Sequence, residues 1–76
     1  MRIYVVAFGQ LRSLIEQELV FQDLKDTDAL KEKLEETFPG LAELNYVMAV
    51  NKEIIQGKSS LADESIIALL PPYSGG

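Results

Sequence analysis

A chain of 76 residues without a single cysteine or histidine can form no disulfide and no thiolate metal site, and it lacks the commonest general base. A formal charge of −5 with no basic run argues against nucleic acid or anionic membrane as partners, and no stretch approaches the ~20 apolar residues of a membrane span. What is left is one acidic domain, 47% hydrophobic and 25% charged, composed like an ordinary globule and expected in the cytoplasm, since Met1-Arg2-Ile3-Tyr4 has no signal-peptide layout.

Residues 2–8 read as a strand: β-branched and aromatic side chains closed by Gly9. Ile3, Val5 and Ala7 lie on one face and Tyr4, Val6 and Phe8 on the other. Apolarity on both sides predicts a central position, or one side meeting a partner. In residues 9–15 Leu11, Leu14 and Ile15 have helical spacing, but the run is short. It predicts a single helical turn or an irregular loop whose leucines cap the core, with Arg12 as a solvated or ion-paired side chain. Residues 18–22 form a second strand, near enough to return antiparallel against the first, with Leu24 just beyond it as a core anchor.

Asp26 and Thr27 can both cap a helix. From Ala29 to Phe38 the apolar positions Leu30, Leu34 and Phe38 recur every four residues, with Ala29, Thr37 and Leu41 flanking. Lys31, Glu32, Lys33, Glu35 and Glu36 make the wet face, with Lys31 and Glu35 spaced as an i,i+4 pair, and Pro39-Gly40 ends the helix. Residues 46–50 are a third strand, Asn51-Lys52 a turn tolerant of positive φ, and residues 53–55 a brief pairing segment. After the turn at 56–58, Leu61 and the Asp63-Glu64 step lead into a last strand over residues 65–70.

One helix can cover one face of such a sheet, which predicts a two-layer α+β domain with the last strand beside the first. Alternation then turns Ile3, Val5, Met48, Val50, Ile67 and Leu69 toward the helix stripe. Val6, Phe8, Ala49, Ile66, Ala68 and Leu70 are left on the other side, an apolar surface expected to receive a partner unless residues 9–15 fold over it.

Residues 71–76, Pro-Pro-Tyr-Ser-Gly-Gly, are expected to be a flexible tail on a domain of residues 1–70. Pro71 and Pro72 stiffen the exit and cannot continue a central strand. Gly75 and Gly76 have no Cβ and fit a slot that excludes other residues. Fully extended, the segment reaches roughly 20 Å. A carboxylate at Gly76 is the expected functional group, presented by the rest of the chain.

The element order and four stretches carry a resemblance. Residues 68–76, with two apolar residues, Pro71-Pro72, two variable residues and Gly75-Gly76, resemble the C-terminus of the molybdopterin synthase small subunits, sulfur carriers with a ubiquitin-like β-grasp fold. Phe8 to Arg12 resembles that family's aromatic-x-x-x-Arg segment. Ala49-Val50-Asn51 resembles its Ala-Val-Asn turn. Leu61 to Ser65 resembles its approach to the last strand, with Glu64 where a glycine is common; Leu69-Leu70 stands where aromatic residues often occur. The resemblance implies a mixed four- to five-stranded sheet with one main helix. It also implies that an E1-like adenylating enzyme uses ATP to activate Gly76, and that a sulfur donor protein converts the adenylate to a thiocarboxylate. The loaded tail then enters the large subunit and gives sulfur to a cyclic pyranopterin. On this reading the chain binds no cofactor or metal and is a non-catalytic donor subunit. Gly76 carries sulfur and Gly75 gives access, while Phe8, Ala49, Ala68, Leu70, Pro71, Pro72, Tyr73 and Ser74 meet the partners. A carrier for another pathway such as thiamine thiazole synthesis, a ubiquitin-like protein modifier, and an interaction module with an incidental tail remain alternatives.

Overall fold

Two-residue periodicity fixes which way each strand faces, and the register of the strands turns that into two differently used surfaces. A computed structural model of the protein describes residues 2–55 and 57–72. Its strands are β1 (Arg2–Ala7), β2 (Leu19–Gln22), β3 (Val47–Val50), β4 (Glu53–Ile54) and β5 (Ser65–Leu70), and its one α-helix is α1 (Thr27–Thr37). Two 3-10 turns, Gly9–Ser13 and Pro39–Glu43, complete it. The sheet order is β2-β1-β5-β3-β4. β1 runs parallel to β5, and the β1–β2, β3–β5 and β3–β4 pairs are antiparallel. The last strand therefore lies beside the first at the centre, in the β-grasp arrangement.

On the covered face the register sets the rows Phe21–Ile3–Ser65, Leu19–Val5–Ile67–Val50 and Ala7–Leu69–Met48. They pack with Leu30 and Leu34 of α1, both fully buried. Each such leucine is worth about 1.5–3 kcal/mol relative to exposure. Phe38 and Leu24 pack against this core only partly buried. Leu11 and Ile15 of the segment after β1 enter the same core, so residues 9–15 plug its end. Leu41, expected only to flank the helix, is wholly buried from the second 3-10 turn.

Element boundaries differ from the sequence expectation by a residue or two, for local reasons. β1 stops at Ala7 because Gly9, at φ +61°, turns the chain. α1 starts at Thr27 because Asp26 is the cap, its Oδ1 accepting from the Ala29 N–H at 2.9 Å. The helix ends before Phe38, whose φ of −126° and ψ of 84° leave the helical region that a following proline disfavours. β3 begins at Val47, one residue late, because Tyr46 is turned to the helix and donates its hydroxyl to Glu35 Oε2 at 2.8 Å. Glu35 is thus engaged by Tyr46 and not by Lys31. The exposed ion pair on the wet face is Lys33–Glu36 at 3.7 Å, worth only a few tenths of a kcal/mol.

The start of α1 is clasped to the chain before β5. Thr27 is buried; its N–H donates to the Ser59 carbonyl and its Oγ1 accepts from the Ser59 N–H, both at 2.9 Å. Beyond, Ser65 is buried, its Oγ donating to the Ala62 carbonyl at 2.8 Å and accepting from the Ala62 N–H at 3.1 Å. That closure forces Glu64 to φ +64°, where its N–H reaches the Arg2 carbonyl at 2.6 Å. No described helix is long and apolar enough to cross a membrane.

Candidate docking face and the tail exit

The face of the sheet away from α1 is built from the residues left over by the covering rows. Its rows are Gln22–Arg2 at one end, then Val20–Tyr4–Ile66, Val6–Ala68–Ala49–Ile54 and Leu70–Val47. Past the polar end row, the other three carry no charged side chain. Val20, Ile66 and Ile54 are 51%, 53% and 61% exposed, and Phe8, just past β1, is 46% exposed. No described element of this chain lies over these rows, so they present a continuous apolar surface of the sort that marks an interaction site.

One turn holds that surface in register. Asn51 and Lys52 both take positive φ, +48° and +75°, the geometry of a tight hairpin between β3 and β4. Asn51 also grips β5: its N–H donates to the Ile66 carbonyl at 2.8 Å and its Oδ1 accepts from the Ile66 N–H at 2.9 Å. With its backbone held on both sides, Ile66 points outward.

The sequence-derived site residues fall in three places. Phe8, Ala68 and Leu70 border or lie on the outer face, Phe8 exposed and the other two half-buried. Ala49 lies on that face too but is 4% exposed and does not belong to the core cluster. A single methyl in the middle of the sheet is overshadowed by longer neighbours, so Ala49 forms the floor and not a contact point. Pro71, expected in a free tail, is buried against the body, while Pro72 is exposed. Tyr73, Ser74, Gly75 and Gly76 lie outside the described residues. Arg12 is exposed at the end of the first 3-10 turn.

The exit of β5 is tied down residue by residue. The Phe8 N–H donates to the Leu69 carbonyl at 3.0 Å, one step beyond the β1–β5 pairing. Pro71 then sits on Gly9: a Cβ at Gly9 would stand 2.7 Å from Pro71 Cγ, closer than such atoms approach. Val20, Val47, Ile54 and Gly9 are participants that reading by strand composition passed over. Alternation held the signal for Val20, between inward Leu19 and Phe21, and for Val47, beside inward Met48. For Ile54 and Gly9 the signal is tertiary.

The strongest electrostatic feature belongs to the scaffold. Burial first, then the hydrogen bond to Glu35 and that carboxylate's charge, raise the Tyr46 hydroxyl well above the usual phenol range. Tyr46 reaches α1, on the other side of the sheet from the exposed rows.

A helix gripped by a mixed sheet, with an apolar outer face adjoining the exit of the last strand, defines a ubiquitin-like β-grasp domain. Residues 5–76 match the ThiS family, and the chain belongs to that family of ubiquitin-like sulfur carriers. Over 100% of both chains it is similar, at TM-score 0.78 and 30% identity, to a chain in the complex of subunits 1 and 2 of molybdopterin-converting factor from Helicobacter pylori 26695. SAMP1 from Haloferax volcanii gives the same TM-score of 0.78 over 100% of both chains at 18% identity, a likeness of fold alone.

Proposed function

We propose that this chain is the small, sulfur-carrying subunit of a molybdopterin synthase. What carries the reading is the full-length, 30%-identical likeness to a chain of a molybdopterin-converting factor complex. The Pro71-Pro72-x-x-Gly75-Gly76 ending, set beside an uncovered apolar face, supports it. A carboxylate is a poor electrophile and must be activated. An adenylating partner joins the Gly76 carboxylate to the α-phosphate of ATP, releasing pyrophosphate. A donor supplying sulfur at the sulfide level then displaces AMP and leaves a thiocarboxylate. The large subunit accepts the loaded tail and passes its sulfur to a cyclic pyranopterin substrate.

The chain's own part is mechanical and steric. Ile66, Ala68, Leu70 and Val6 dock on the large subunit by burying apolar surface. Gly75 and Gly76 pass where a Cβ would block access to the reacting carbonyl. Base, nucleotide site and metal come from the partners, which accords with a sequence lacking His and Cys; this chain binds no cofactor. Incubation with the adenylating enzyme, ATP and a sulfur source should add the mass of one sulfur-for-oxygen exchange at Gly76. The loaded chain plus the large subunit should then convert the precursor pyranopterin. An unchanged mass, or sulfur delivered only to a thiazole-forming synthase, would overturn the reading.

A further inference from the structure

A carrier whose reactive group lies at its end must deliver that end in a defined direction, and the geometry between β1 and β5 points to the residue that sets it. We propose that Gly9 is a positioning residue for the chain's exit from the body: its bare α-carbon is the seat on which the Pro71 ring rests, and that seat sets where the chain leaves at Pro72. The inference rests on the carrier reading of the chain.

Three observations carry it. Gly9 has φ +61°, a conformation that costs side-chain-bearing residues. A Cβ there would stand 2.7 Å from Pro71 Cγ and 3.4 Å from Pro71 Cδ, so any larger residue displaces the proline. Pro71 is buried while its neighbour Pro72 is exposed. Around the seat, the Phe8 N–H holds the Leu69 carbonyl at 3.0 Å, and the Leu11 N–H holds the Phe8 carbonyl at 3.2 Å. Leu11 itself is fully buried. The turn bearing Gly9 is thereby pinned at both ends, one to the last strand and the other to the core. With its ring docked and its φ fixed, Pro71 has little freedom left. The direction in which the chain leaves at Pro72 is inherited from the sheet.

Gly57 supplies the control. It too has positive φ, +83°, but a Cβ there meets nothing within 4 Å. Gly57→Ala therefore carries the backbone strain without the collision. The chain has no cysteine of its own, so a nitroxide on Ser74→Cys reports the tail alone. Paramagnetic broadening of the body's amides should fall on one side of the otherwise unaltered protein and of Gly57→Ala. It should spread over the surface in both Gly9→Ala and Pro71→Ala. With Ser74 restored, adenylation kcat/KM should drop about tenfold or more in the Gly9 and Pro71 variants, as misplacement of a reacting group predicts, and stay unchanged in Gly57→Ala. The seat is refuted if broadening is already uniform before substitution, if only one of the Gly9 and Pro71 variants alters it, or if Gly57→Ala alters it equally. Failure of the unsubstituted chain to be adenylated would instead sink the carrier reading, while the broadening map would still decide the seat.

Discussion

At the scale of single residues, backbone conformation and one hydroxyl give the sharpest tests. Glu64 occupies left-handed backbone at φ +64° because the Ser65–Ala62 closure requires a reversal there. A glycine meets that requirement without Cβ strain, though it also loosens the unfolded chain. Glu64→Gly should stabilise the domain by up to about 1 kcal/mol, read as a rise of a few degrees in Tm. A fall would mean that the glutamate side chain contributes more than its backbone costs. Tyr46→Phe deletes the 2.8 Å bond to Glu35 and should cost about 1 kcal/mol in denaturant unfolding. The folded-state phenol holds its proton at pH values where the unfolded one releases it. This contribution is therefore complete below the ordinary phenol range and declines as pH rises from there through the raised value. Alkaline unfolding should be less steep in Tyr46→Phe than in the unsubstituted chain.

At the scale of elements, α1 shows how little of its stability is intrinsic. Eleven residues are marginal as an isolated helix in water. The Asp26 cap, Asp28 in the first turn and the buried pair Leu30 and Leu34 hold it on the sheet. Leu34→Ala should cost about 2–5 kcal/mol by deleting a fully buried side chain, a large share of the total for so small a domain. The measurement is the urea midpoint, and a loss below about 1 kcal/mol would contradict the packing described. The stripe of α1 was legible in the sequence because its period is local. The pairing of Glu35 with Tyr46 in place of Lys31 was not, since Tyr46 comes eleven positions later and only the fold brings it across. The same holds for Pro71, whose composition suggests a free tail but whose ring finds a docking place on Gly9.

At the scale of the whole molecule, the two sheet faces divide the labour: one holds the fold together, the other is free to dock. Leu70→Asp places a charge on the half-buried end of the outer face and should weaken large-subunit binding about tenfold or more while lowering Tm only slightly. An equal loss of stability and binding would make Leu70 a core residue. Removing Gly76 should abolish sulfur loading and leave Tm unchanged, because among the described residues the core cluster ends at Leu69 and burial at Pro71. Loss of folding on that deletion would contradict the separation of body and tail.

By itself the sequence determined the element order, the helix stripe, the inward and outward sets of β1 and β5, and the Pro-Pro and Gly-Gly ending. These are periodicities of 2 and 3.6 or composition at adjacent positions, and they need no knowledge of distant neighbours. Only the tertiary structure decided that Ala49 is a floor and Ile54 a rim, that Leu11 and Ile15 plug the core, and that Gly9 carries Pro71. Each of these depends on which strands lie side by side, and on how large a neighbouring side chain is, across separations that no local pattern records.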